Sequence, residues 1–133
     1  METDVARERL TNALLDDDCL NALWALVDSG VAETIIPELP ALALEQDPIH
    51  KHKDVLAHTI AVTAKTRADL VLRLAALFHD IGKPRTRKID DNGVTFRHHE
   101  AVGAKMARKR LTALGYPDQV CLLYTSPSPR DRG

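Results

Sequence analysis

Large rings are scarce in this chain of 133 residues: one Trp, two Tyr and two Phe make up 4% of it. The core must therefore be built from Leu, Ala, Val and Ile. Leu and Ala outnumber the strand-favouring residues, which points to helices. The two cysteines, Cys19 and Cys121, do not make a disulfide framework. Neither sign of charge is in excess, since 18 Lys and Arg face 19 Asp and Glu for a net charge of −1. Without a global basic field, any contact with nucleic acid has to be local. No apolar run approaches the roughly 20 residues of a membrane span, and no charged-then-apolar segment opens the sequence. The cytosol is the expected compartment. What remains is an ordinary balance, 44% hydrophobic and 28% charged. It suits one small folded domain, or a piece of something larger, and not a disordered chain.

Apolar spacing predicts a helix over 3–15 with Ala6, Leu10 and Leu14 on one face. Asp16 to Asp18 break it and can cap a second helix over 19–29, whose stripe is Leu20, Leu23, Trp24 and Val27. Gly30 follows at the position where a left-handed glycine ends a helix. Pro37 and Pro40 divide 31–44 into a short helix, a turn and another short apolar piece. The composition changes at Asp47, where a domain boundary is expected between 1–46 and 47–120. His50 and His52, in a Lys-rich approach, read as solvated. A helix over 54–66 carries Val55, Thr59 and Val62, with His58 expected to point inward from the same face. Residues 70–78 are apolar nearly all round apart from Arg73 and read as a central buried helix. Gly82 and Pro84 stop it. Asn92-Gly93 between short β-prone runs predicts a small hairpin. A last long helix opens at His98-His99-Glu100, has Gly103, Met106, Ala107, Leu111 and Leu114 as its core stripe, and ends at Gly115 and Pro117. The segment 121–133 does not read as part of a helical bundle. Cys121 to Asp131 resembles the in-frame translation of a transposase sequencing adapter, and the segment is expected to be foreign to the fold.

The histidines carry the chemistry. His79-Asp80 ends the buried helix, and antiparallel packing with the preceding helix would bring His58 beside them. Imidazole nitrogen and carboxylate oxygen together suit a divalent cation such as Mn, Fe, Ni or Zn, with Mg possible if water fills the shell. One of His98 and His99 can enter the same site, or bind a second metal or a phosphate. Glu100, in the first helical turn, can cap backbone donors or orient a ligand histidine.

The strings His58-Thr59, Leu77-Phe78-His79-Asp80-Ile81-Gly82-Lys83 and His98-His99-Glu100 with Gly103 resemble the HD-domain superfamily of metal-dependent phosphohydrolases. The wider pattern adds Ile36-Pro37-Glu38-Leu39, His52 to Thr59, Leu74 to Pro84 and Gly93 to Glu100. Across about residues 3 to 120 it is similar to the HD-containing bacterial CCA-adding tRNA nucleotidyltransferases, especially the actinobacterial kind. The resemblance implies an all-α, HD-like helical bundle with a small β-hairpin, truncated at both ends. Residues 1–46 would belong to the tRNA nucleotidyltransferase body and 47–120 to a partial HD domain. It implies His58, His79, Asp80 and His98 or His99 as ligands of a divalent metal (Mg, Mn or Ni). Asp80 and Lys83 would be the catalytic groups, with Lys83 and Arg85 against phosphate.

The parent enzyme would add C, C and A to tRNA from CTP and ATP through an N-terminal head. No Gly-Ser pair followed by Asp-x-Asp is present, so that head is missing here. The implied partners are tRNA and, through the head, CTP and ATP; neither a membrane nor a protein partner is expected. Lys105, Arg108, Lys109 and Arg110 give the last helix a basic face, readable as a solvated surface or as a patch on tRNA phosphates. Two other functions fit the same residues: a free-standing HD phosphohydrolase acting on nucleotides, and a degenerate HD bundle serving as an RNA-binding or regulatory module. An uninterrupted reading frame upstream separates the first alternative from a tRNA enzyme, and metal dependence separates the second from either enzyme.

Overall fold

The structure is a computed structural model, whose backbone is described for residues 1–44, 54–90, 93–96 and 99–122 and whose side chains for 1–44, 54–86 and 100–120. In chain order the helices are α1 (Thr3–Leu15), α2 (Cys19–Asp28), α3 (Val31–Ile35), α4 (Val55–Lys65), α5 (Leu70–Phe78), α6 (Lys83–Thr86), α7 (His99–Ala113) and α8 (Asp118–Leu122). A 3-10 turn covers Pro40–Leu42, and β1 (Arg87–Asp90) pairs antiparallel with β2 (Gly93–Phe96). The fold is an all-α bundle with a small hairpin, as expected. Three helices start on an aspartate that accepts a backbone N–H three residues on: Asp18 from Asn21 (3.3 Å), Asp54 from Ala57 (2.7 Å) and Asp69 from Leu72 (3.0 Å). Each satisfies a donor that the first helical turn leaves without an internal partner.

The core is one cluster. Leu10 and Leu14 of α1, Leu23 of α2, Ile35, Ile36, Leu39 and Leu42, Ile60 of α4, Leu74 and Leu77 of α5, Ile81, and Ala107 and Leu111 of α7 all belong to it. The expected boundary between 46 and 47 falls outside the described residues, yet the cluster has members on both sides of it. Polar contacts tie the same parts. Arg7 of α1 donates to the Leu114 carbonyl at 3.1 Å, and the Thr11 and Tyr116 hydroxyls meet at 2.7 Å. Arg110 of α7 grips Glu38 with two parallel bonds of 2.9 and 3.0 Å, the fork geometry that makes guanidinium–carboxylate pairs specific.

Four sequence expectations are corrected. The stripe of α2 is Cys19 and Leu23, with Trp24 and Val27 only half-buried and Leu20 42% exposed. α5 is not buried all round, because Leu72 and Ala75 face out. Arg73, singled out as its polar interruption, is the residue that goes in, at 8% exposure. Its guanidinium donates to the carbonyls of Leu14 (2.5 Å), Thr66 (2.9 Å) and Ala64 (3.5 Å). These lie at the C-terminal ends of α1 and α4, where carbonyls lack helical partners and the helix dipole is negative. A cation is thus buried there with no carboxylate partner among the described residues. Finally, the hairpin register pairs Asp90 with Gly93, so Gly93 is the first residue of β2 rather than part of the turn.

Candidate metal centre

Four residues, 66–69, join α4 to α5, so the start of α4 returns to the end of α5. His58 is on the first turn of α4. His79 follows the last residue of α5, still in helical conformation. The two imidazole rings meet edge to face, their centroids 6.3 Å apart. One ligand atom from each of His58, His79 and Asp80 can be chosen so that all three lie within 4.8 Å of one another. The expected trio is therefore together in space. It does not sit inside the core as the apolar face of α4 suggested. Val55, Leu56, Thr59, Ile60 and Thr63 take the buried positions of α4, and His58 and His79 are exposed at its rim. Asp80 alone is buried, at 6% exposure.

The orientation of His79 follows from its backbone. Its Nδ1 lies 2.5 Å from the Ala76 carbonyl, three residues back in α5, and its Nε2 lies 2.9 Å from Asp80 Oδ2. Because a carbonyl only accepts, Nδ1 carries the proton, and Nε2 is the nitrogen left to meet a proton or a cation. Lys83, one turn further on, brings its ammonium to 3.4 Å from the same Asp80 oxygen. The hydrogen bond to Asp80 raises the His79 imidazole above its ordinary range, against the opposing effect of burial. Burial pushes the Asp80 carboxyl up. The hydrogen bond from His79 and the charges of His79 and Lys83 outweigh that and hold it below the usual carboxylate range. The carboxylate is thus kept ionised in a half-dry site.

The donor set fits a divalent cation. Two ligands on one ion with bonds of roughly 2.0–2.2 Å lie at most about 4.4 Å apart. The His79–Asp80 separation is already inside that span, and exposed His58 offers a nitrogen within 4.8 Å of both partners. Two nitrogens and a carboxylate oxygen leave coordination positions for water or substrate, the open arrangement of catalytic rather than structural sites.

Sequence reasoning missed two supports. One is the Ala76 carbonyl that fixes the His79 tautomer; an i−3 backbone acceptor leaves no mark on residue type. The other is the packing of α7 on the turn after Asp80: a Cβ built on Gly103 would lie 3.2 Å from the Gly82 nitrogen, so glycine is what lets the two backbones approach. Of the other expected site residues, His98 lies outside the described residues, as does the side chain of His99, whose backbone starts α7. His50 and His52 are outside them as well. Among the basic residues, Arg85, Lys105 and Lys109 line one cleft of about 420 Å³ together with Glu38, Val102, Met106 and Arg110. Arg108 is exposed but outside that lining, and Lys83 is turned to Asp80.

The family model described as HD domain matches residues 49–127. The chain is 37% identical over 122 residues to the CC-adding tRNA nucleotidyltransferase of Thermus thermophilus, covering 86% of this chain and 28% of that protein. It is 35% identical over 119 residues to the A-adding tRNA nucleotidyltransferase of Deinococcus radiodurans, covering 84% and 27%. It is 33% identical over 84 residues to the multifunctional CCA protein of Alkalilimnicola ehrlichii, covering 59% and 20%. The chain thus spans less than a third of the length of these relatives. No solved structure matches it significantly. The His–Asp pair at the end of α5, the helix-borne histidine facing it and the family match over most of the chain together make this protein a member of the HD-domain family.

Proposed function

We propose that His58, His79 and Asp80 hold a divalent cation, with Mg, Mn or Ni as candidates, and that the site hydrolyses phosphoester bonds such as those of 2′,3′-cyclic phosphates or 2′-nucleotides. The observation that carries this reading is the set of the His79 ring: Nδ1 is engaged by the Ala76 carbonyl and Nε2 is presented to Asp80, with a His58 nitrogen within 4.8 Å. A cation bound there lowers the pKa of water and polarises a phosphoryl oxygen. The chain's own part is to hold the carboxylate ionised and to fix the imidazole tautomer. Lys83, next to Asp80, and Arg85 then offset the charge of an incoming phosphate. His98 and His99 are proposed as further ligands.

The likeness to CC-adding, A-adding and CCA enzymes supports a parent tRNA nucleotidyltransferase that completes tRNA 3′ ends from CTP and ATP, acting in the cytoplasm. In this chain, 1–46 would belong to the enzyme body and 47–120 to the HD domain, with 121–133 a foreign tail, although α8 runs on to Leu122 and the family match to residue 127. The chain by itself is expected not to polymerise. Calorimetric titration with Mn, Ni and Mg tests the centre. Binding to the wild type that falls at least tenfold in His79→Ala and Asp80→Ala supports it, as does metal-dependent cleavage of 2′,3′-cyclic AMP lost in the same variants. Equal metal binding by all three proteins would overturn it.

A further inference from the structure

The cleft between α6, α7 and the turn after α3 is a second site. Its lining holds four cations, Arg85, Lys105, Lys109 and Arg110, and one carboxylate, Glu38. Glu38 is fully engaged: both of its oxygens receive the Arg110 guanidinium, at 2.9 and 3.0 Å. The pair is internally neutral and also braces α7 against the segment before the HD turn. That leaves the charges of Arg85, Lys105 and Lys109. All three are exposed, and among the described residues none has an ion-pair or hydrogen-bond partner. Lys105 and Lys109 are four residues apart on α7, hence on one face and about 6 Å apart along its axis. Arg85 faces them from α6. A second lobe of about 340 Å³ shares Glu38, Arg85, Met106 and Arg110 and is lined by Ile81 and Pro84. Ile81 belongs to the turn that follows Asp80 and Pro84 to the start of α6, so the groove extends from α7 to the segment carrying the proposed metal-site carboxylate.

We infer that this groove is a binding track for the phosphodiester backbone of RNA, with Arg85, Lys105 and Lys109 as its phosphate contacts. The inference rests on the tRNA-directed reading above. Three uncompensated cations around a concave wall recognise a run of phosphates. Among the described residues no aromatic side chain lines either lobe, so the contact is assigned to the backbone, independent of sequence. The apolar floor of Val102 and Met106 suits sugar rather than further charge. Lys83 is excluded from the track because its ammonium is on Asp80, and Arg108 because it lies outside the lining.

The test is fluorescence anisotropy of the full chain with a labelled tRNA transcript, repeated over a series of salt concentrations. The probes for comparison are a random-sequence RNA of equal length and a poly-glutamate peptide. Lys105→Gln/Lys109→Gln is expected to weaken binding to both RNAs at least tenfold at low salt, and to lower the slope of log K against log salt by about two. The control Arg9→Gln/Lys65→Gln removes two exposed cations from α1 and α4 and is expected to change binding less than threefold. Equal losses in the two double variants would show diffuse attraction and overturn the track. So would a wild type that binds the peptide as tightly as RNA, or no RNA at all. Metal titration of the same proteins keeps the two readings apart. Lost metal binding with intact, cleft-dependent RNA binding defeats the hydrolase and leaves the track standing, and the reverse pattern does the opposite.

Discussion

Arg73 and Tyr116 show how single side chains set the stability of this molecule. Arg73 brings a charge into the bundle and spends its donors on the carbonyl ends of two helices. Arg73→Met keeps the apolar stem and strands three acceptors. Urea unfolding should show a loss of about 2–4 kcal/mol, the cost of a few buried unsatisfied groups. Tyr116 is buried, and burial pushes its phenol above the ordinary value of 10.0, although the Thr11 hydrogen bond and Arg7 pull the other way. A group with a raised folded-state pKa stabilises fully below its unfolded pKa and loses that contribution as pH rises through the folded value. The wild type should therefore lose stability more steeply than Tyr116→Phe once pH passes about 10, read as the pH dependence of the urea midpoint. Both residues were hard to weigh in the sequence. An arginine within an apolar run reads as an interruption because residue type does not reveal that two helix ends will point at it.

Among the elements, α7 decides how firmly the turn after Asp80 is held. Its Gly103 lets the helix sit against the Gly82 backbone. Gly103→Val forces that contact apart and should cost about 1–3 kcal/mol, the usual range for overpacking. Metal affinity should fall with it, and calorimetry on the folded variant separates the two effects. Most elements were legible. The bounds of α1, α4 and α5 follow to within a residue or so from apolar periodicity, while the capping roles of Asp54 and Asp69 emerge only from the structure, and Gly30 and Gly115 mark chain reversals with φ of 85° and 82°. Two features were not legible. α2 rotates so that Cys19, not Leu20, faces the core, because neighbouring helices and not its own pattern fix its roll. α6 is too short for periodicity to register.

At the scale of the whole molecule, the sequence pointed to a trio that the structure does bring together, but placed it too deep. Helix spacing brought His58 toward His79-Asp80, while the larger claim of Leu56 and Ile60 on the interior left the imidazoles at the surface. The pairing of Arg110 with Glu38, 72 residues away, had no local signal at all. The same long reach marks the Arg73 contact to the Leu14 carbonyl, 59 residues earlier in the chain. A peptide bond opened near residue 46 would put the donor on one fragment and its acceptor on the other, with the leucines of α1 and α5 divided in the same way. Neither fragment can finish its interior alone, so the two, co-expressed, should reassemble and elute together in size-exclusion chromatography. Arg73→Met in the larger piece should weaken that reunion.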